Sequence, residues 1–405
     1  MAHNKVPDTA KVPDIAKVSD TAKVPDTAKV SDTAKVPDTA KVPDTAKVSD
    51  TAKVPDTAKI LDTVREPDTS RGVDIVQVYK SLHGLKTLKV PKILFFDSGM
   101  GGLSVLSEVR KLNPGAAYYY LFDHEGFPYG QKSESYLVAR VETLLCRVSA
   151  VLAPDLIVIA CNTASTVVLD QIRPHFSRIP IVGVVPAIKT AGQLSRKRKI
   201  ALLATPGTVQ RAYTQRLIAS FAADCEVMRM GTVELVWLAE QCLLDEVTAA
   251  QRTATQRTDA QGEDIETPRL QLPASKLPEL KAILAPIMDL PHCEQPDVVV
   301  LGCTHFPLLR ADIAALLGPD ITLVDSGAAI GRRVAYVLAQ KQESLEVELG
   351  YRGAPNGAQD SRLNAVTPGA WVAWYTGSVS EAQRAQFAAT FSYFGFQQVQ
   401  SLALV

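Results

Sequence analysis

The sequence predicts an α/β protein of two similar, doubly wound parallel-sheet domains facing each other across a shared site, preceded by a disordered hexapeptide-repeat tail. Three observations lead there. Composition changes abruptly near residue 91 of the 405. Beyond that point, short β-rich apolar runs alternate with stretches of helical spacing, the pattern of strands joined by crossover helices. Two of those runs, 142 residues apart, end in the same chemistry at Cys161 and Cys303.

The tail comes first. From Lys5 the unit Lys-Val-Pro-Asp-Thr-Ala repeats, with Ser sometimes in place of Pro, through degenerate copies to Val76, twelve units in register. Each unit offers about one Val as its sizeable apolar group, and the recurring Pro blocks helix and central strand. Burial therefore cannot offset chain entropy, and the segment reads as disordered and charge-balanced. A left-handed β-helix also uses six-residue units, but it needs close-packing aliphatics rather than Pro beside Asp. Ser81 to Lys89 reads as a linker, so residues 1–91 form the tail and its connection.

Lys plus Arg equals Asp plus Glu at 43 each, so no global field favours nucleic acid or an anionic membrane. The longest apolar runs, such as Leu156 to Cys161 and Val298 to Cys303, are far short of a membrane span. The first thirty residues lack the apolar core of a secretory signal, which places the expected location in the cytoplasm. Six cysteines without a CxxC pair suggest neither a disulfide scaffold nor a zinc knuckle. Cys146, Cys225, Cys242 and Cys293 read as small buried hydrophobes.

From Pro91 onward the expected strands are Lys92 to Asp97, Ala117 to Asp123, Leu156 to Cys161, Ile179 to Val185, Lys199 to Ala204, Asp297 to Cys303, Ile321 to Asp325 and Trp371 to Thr376. Helix-like sequence follows at Leu103, at Ala164 to Gln171 and at Leu308 to Leu317. The polar stretch Gln251 to Lys276 reads as an inserted surface loop. In such a fold the functional loops lie at the carboxyl ends of the strands.

Those ends carry the chemistry. The first strand runs into Asp97-Ser98 and a glycine-rich turn to Gly102, whose backbone N–H groups could hold an anion or simply make a tight turn. Cys161-Asn-Thr and Cys303-Thr-His end two others, and Asp97-Ser-Gly and Asp325-Ser-Gly echo each other. Helix N-termini behind the thiols, with His305, are expected to favour thiolate. A disulfide oxidoreductase would want its thiols adjacent in sequence, and a cysteine hydrolase leaves one thiol unexplained. A zinc site of Cys161, Cys303, His305 and Asp97 has ligands of suitable type. A racemase wants two bases on opposite faces of one carbon, which two matched thiols supply.

The motifs Phe96-Asp-Ser-Gly-Met-Gly-Gly102, Pro128-Tyr-Gly130, Ala160-Cys-Asn-Thr-Ala-Ser165 and Leu301-Gly-Cys-Thr-His-Phe-Pro-Leu308 resemble those of the cofactor-independent aspartate/glutamate racemases, and glutamate racemases in particular. The resemblance spans about 92–405 and leaves out the tail and the polar insertion. It implies a first α/β domain of residues 92–185 plus 326–405 and a second of 186–325, carrying the insertion near 251–276. It implies Cys161 and Cys303 as the acid/base pair acting from the D and L sides, with Asp97 assisting Cys161 and His305 assisting Cys303. Implied substrate contacts are Asp97, Ser98, Tyr129, Gly130, Asn162, Thr163, Thr205, Thr304 and His305. Glu240 aligns with a family glutamate, but in loosely matching surroundings, and stays outside the expected site. The resemblance further implies no cofactor, no metal, glutamate as the small-molecule partner, no nucleic acid or membrane, D-glutamate supply for peptidoglycan, and leaves a homodimer open.

Overall fold

The structure, a computed structural model, describes residues 90–254, 272–348 and 371–402. The repeat tail, the linker at 81–89 and the centre of the polar insertion lie outside the described residues. Ten strands are present among them: β1 (Lys92–Asp97), β2 (Ala117–Phe122), β3 (Leu156–Ile159), β4 (Ile181–Gly183), β5 (Lys199–Ala204), β6 (Glu226–Gly231), β7 (Val298–Leu301), β8 (Thr322–Val324), β9 (Val372–Tyr375) and β10 (Gln398–Ser401).

They form two sheets, β10-β9-β2-β1-β3-β4 and β6-β5-β7-β8, in which every pairing is parallel. The order β2-β1-β3-β4 repeats as β6-β5-β7-β8, so the second sheet is a copy of the inner part of the first. The first sheet grows by β9 and β10 on the β2 side. In each copy the order reverses between the first and third strands, and a crevice opens there at the carboxyl ends.

Burial explains why these residues make these strands. Ile93 through Phe96 are all fully buried, a continuous apolar run rather than an alternating one, because helices cover both faces. The period of two sorts them: Ile93 and Phe95 join one apolar cluster, Leu94 and Phe96 another. Each such side chain contributes about 1.5–3 kcal/mol on burial. The Phe95 cluster continues through Leu203 of β5 and Leu301 of β7, so one core runs through both sheets. The outer face of the second sheet has its own cluster, built on Ile200, Leu202, Val298 and Val300.

Several expectations need adjustment. β6 and β10 carry no continuous apolar run. They are edge strands, half-buried or exposed at every residue, and hydrogen-bonded on one side only. The helix expected from Leu308 begins as a tight 3-10 turn, Phe306–Leu309, and becomes α-helical only at Arg310–Leu317. The Pro at 307 fits the first turn of such an element. The ends of the 251–276 stretch are not loop: residues 251–254 complete the helix Glu234–Ala254, and Ala274–Lys276 is a 3-10 turn leading into the helix Leu277–Met288. Asp325 follows β8, the counterpart of β4, so its echo of Asp97 is not positional. It pairs with Arg310 and accepts the Gly327 N–H instead. Among the described residues, no helix is long and apolar enough to cross a membrane.

Candidate active site

Each crevice delivers one thiol. Cys161 follows β3, and Cys303 follows β7, the counterpart of β3. Both are buried, 5% and 7% exposed. A cavity of about 640 Å³ reaches Cys303, Thr304, Asn162 and Ser104.

The surroundings of the two thiols differ. Cys161 caps the helix Asn162–Ile172 in extended conformation, and its sulfur lies 3.8 Å from Ser98 Oγ. Ser98 in turn sits beside Asp97, 3.5 Å from hydroxyl to carboxylate and 2.7 Å from amide to carboxylate. Burial, and after it the Asp97 charge, push the Cys161 thiol well above its ordinary range, against the Ala164 N–H and Ser98. The expected depression by the helix N-terminus is therefore outweighed, and the resting Cys161 is a thiol. A negative charge on Cys303 also disfavours one on Cys161.

Cys303 has no α-helix directly behind it, and its partner is His305, whose Nδ1 lies 3.7 Å from the sulfur. The other ring nitrogen, Nε2, is 2.7 Å from Glu240 Oε2. Burial of His305 works against its charge, but the Glu240 carboxylate and the Cys303 sulfur outweigh it and raise the imidazole well above its usual range. Glu240 is itself buried and accepts the Met100 amide at 3.1–3.2 Å. Cys303, His305 and Glu240 thus form a chain along which a proton can be held or passed. Sequence reasoning set Glu240 aside. Its helix, Glu234–Ala254, is remote in sequence from both thiol motifs, and one signal was an acidic residue on the buried face of that helix beside Leu235, Val236 and Ala239.

Three amides of the glycine-rich turn are taken by carboxylates of the protein itself. Ser98 N and Gly102 N donate to Asp97 at 2.7 and 2.6 Å, and Met100 N donates to Glu240. Burial raises the Asp97 carboxyl, opposed by His305 and by those two amides, and leaves it at about 6. Its glycines are needed for room. A methyl at Gly101 would lie 2.3 Å from the His305 ring, and one at Gly99 would lie 2.8 Å from the Phe127 ring.

The remaining expected residues fall in two groups. Thr163, Thr205 and Thr208 join their hydroxyls at 2.9, 3.2 and 3.0 Å, bridging the end of β5 to the helix after Cys161. Gly130 packs on Thr205, where a methyl would lie 2.7 Å from Thr205 Cβ. Asn162 is buried with its Oδ1 unpartnered, an acceptor open to a ligand. Thr304 Oγ1 lies 3.5 Å from Asp97. Tyr129 is committed elsewhere, because its hydroxyl donates to Asp123 at 2.7 Å. Burial works against that carboxylate, but hydrogen bonds from Arg140, Thr376 and Tyr129 hold it below the usual range. What the Pro128-Tyr129-Gly130 segment can offer a ligand is therefore its backbone.

Of the other cysteines, only Cys242 is a buried hydrophobe; Cys146 and Cys293 are exposed and Cys225 is half-buried. His175 and His292 sit at the surface beside Glu142 and Asp320, and His124 packs edge-on against Phe387. Trp371 packs on Tyr118 and Phe396. No three His, Cys, Asp or Glu side chains among the described residues gather closely enough to hold a metal ion.

Comparison with known proteins agrees with this geometry. Residues 104–266 match the Asp/Glu/Hydantoin racemase family. Glutamate racemase of Pectobacterium carotovorum subsp. carotovorum (strain PC1) is 47% identical over 249 residues, covering 62% of this chain and 77% of that protein. Its Shewanella baltica (strain OS155 / ATCC BAA-1091) counterpart is 46% identical over 254 residues, covering 63% and 81%. The crystal structure of Escherichia coli glutamate racemase, in complex with L-glutamate and the activator UDP-MurNAc-ala, matches at a TM-score of 0.61 with 39% identity, covering 78% of this chain and 100% of that one. Identity at this level, over most of each relative and through both sheets, means that the chain belongs to the glutamate racemase family of amino-acid isomerases.

Proposed function

We propose that this chain interconverts L- and D-glutamate by a two-thiol proton transfer at Cα. The observation that carries the reading is the placement of Cys161 and Cys303 at equivalent strand ends of a duplicated sheet, each with its own polar partner. The Cα–H bond of an amino acid is a weak acid, so the base must be close, aligned and dry. In the L-to-D direction, Cys303 as thiolate takes the Cα proton from one face. Cys161, a thiol at rest, gives its proton to the opposite face, and the two thiols finish with exchanged protonation. The reverse direction exchanges the roles. His305, held protonated against Glu240, balances charge on Cys303 and can return a proton to it.

Asp97 acts on Cys161 through Ser98, since no direct contact between carboxylate and thiol exists among the hydrogen bonds of the site. Asn162 Oδ1 would accept from the substrate ammonium, and the Thr163, Thr205 and Gly130 wall would receive a carboxylate. We take residues 92–185 with 326–405, and 186–325, as the two bodies that meet around the substrate. The same reading assigns the chain to D-glutamate supply for peptidoglycan in the cytoplasm, on the strength of the family alone. No step calls on a cofactor.

The deciding experiment is incubation of L-glutamate with the protein in D₂O, followed by chirality-resolved analysis. Deuterium at Cα together with D-glutamate is expected. Deamidated or hydrolysed products without Cα exchange would replace the racemase reading with a cysteine hydrolase.

A further inference from the structure

Arg211 lies between the short helix Pro206–Gln210 and the helix Ala212–Phe221, and it is only 8% exposed. A guanidinium this deep is costly unless an anion shares its burial. The one carboxylate within 4 Å of it among the described residues is that of Glu134, at 3.9 Å, and Glu134 is itself 69% exposed. Arg211 Nε is buried with no hydrogen-bond partner. Burial pulls the guanidinium below its ordinary range, opposed by the charges of Glu134 and Cys161, so Cys161 is within its electrostatic reach. It remains a cation at neutral pH.

Its position gives that charge a use. A methyl at Gly207 would lie 2.7 Å from the Gly130 carbonyl oxygen and 3.3 Å from an Arg211 terminal nitrogen, so both border the same spot. Arg211 therefore adjoins Gly130, and Gly130 packs on Thr205, so the charge stands at the edge of a wall of Gly130, Thr205 and Thr163 whose own groups are neutral. The Cα of a substrate must lie between the two thiols, and the side chain is the part free to extend to this wall. We propose that Arg211 is a specificity-determining residue that acts through this wall, its charge favouring a substrate whose side chain ends in a carboxylate over one ending in a carboxamide. The proposal rests on the racemase reading.

The test measures KM and kcat for L-glutamate, and the inhibition constant of L-glutamine, in the full-length protein. Arg211→Gln should raise KM for glutamate about tenfold or more, with kcat changed less than about threefold and the glutamine constant nearly unmoved. Arg211→Lys should restore KM to within about threefold. Glu134→Gln alters an exposed residue and should lower KM about twofold at low salt, an effect that about 0.5 M salt removes. An unchanged KM in Arg211→Gln, or parallel shifts for glutamate and glutamine, would overturn the proposal. If Arg211→Gln does not fold, an unchanged KM in Glu134→Gln at low salt overturns it. A wild-type protein that leaves the glutamate Cα proton in place would instead refute the racemase reading, whatever Arg211 does.

Discussion

Cys161 and Cys303 occupy the same place in two copies of one sheet, yet their environments are opposite in character. Beside Cys161 stand a hydroxyl and, behind it, a carboxylate, and the thiol is pushed up. Beside Cys303 stands an imidazole that a buried carboxylate keeps protonated. Duplication fixes where a thiol goes; the loops that differ between the copies decide what surrounds each one. The proposed reaction needs one thiol as base and the other as acid, and unlike surroundings suit those unlike roles.

The largest expected effect comes from removing either member of the pair. Cys161→Ala and Cys303→Ala should each lower racemisation by about 10³-fold or more in both directions, because each stroke needs a base and an acid. Substantial turnover in either variant, read by circular dichroism of the glutamate pool, would refute the two-thiol scheme.

Next are the partners that make the thiols unequal. His305→Asn and Glu240→Gln should each cost about 10²-fold in kcat/KM. The fall must be equal in both directions, since L- and D-glutamate have equal free energy in water. The inequality shows instead in isotope effects with Cα-deuterated substrate. Both variants should raise the effect from the L side, where Cys303 breaks the labelled bond, and lower it from the D side. Asp97→Asn should do the reverse. Equal effects from both sides in all three variants would separate these helpers from individual thiols.

Gly101→Ala should behave as a milder His305 variant, since its methyl would meet the imidazole at 2.3 Å. A loss of about tenfold or more in kcat/KM with the fold retained is expected, and wild-type kinetics would show that the ring has room to move.

Asp97 supplies a pH test. Its folded carboxyl sits near 6, above the ordinary 3.8, so the folded protein holds a proton that the unfolded chain has released between those values. Stability is therefore greatest below the unfolded value and falls as pH rises through about 6, by about 3 kcal/mol in all. In Asp97→Asn that part of the pH dependence of Tm should disappear. The same slope in both proteins would assign it to other groups. Smallest of all, Cys146→Ser and Cys225→Ala should leave kcat/KM within about twofold, because neither thiol lies at the carboxyl end of a strand.

Much of this was legible in the sequence because buried parallel strands write themselves as apolar runs, and the residues after them are the ones a crevice exposes. Lys92 to Asp97 and Lys199 to Ala204 are examples whose expected and observed limits coincide. β6 and β10 were not legible, since an edge strand such as Glu-Val-Met-Arg-Met-Gly meets water along its length and needs no apolar signature. Both thiols, Asp97 and His305 could be read from strand ends. Glu240 could not, because its partners, Met100 and His305, are brought to it only by folding. Nor could the burial that turns Cys161 into a resting thiol, since a helix N-terminus is visible in sequence and the depth at which it lies is not.

The Met100 amide belongs to the turn after β1, and Glu240 to a helix between strands of the second sheet. Ser104, at the start of the helix after that turn, likewise donates to the Thr304 carbonyl across the same boundary, at 2.8 Å. Separating the two sheets would break both bonds at once, while Glu240, His305 and Cys303, all carried by residues 186–325, would stay together. Opening would therefore take the Met100 amide from Glu240 without breaking the chain that runs from Glu240 through His305 to Cys303. The first half of the chain thus braces the buried carboxylate from outside, while the second half holds every member of the relay itself.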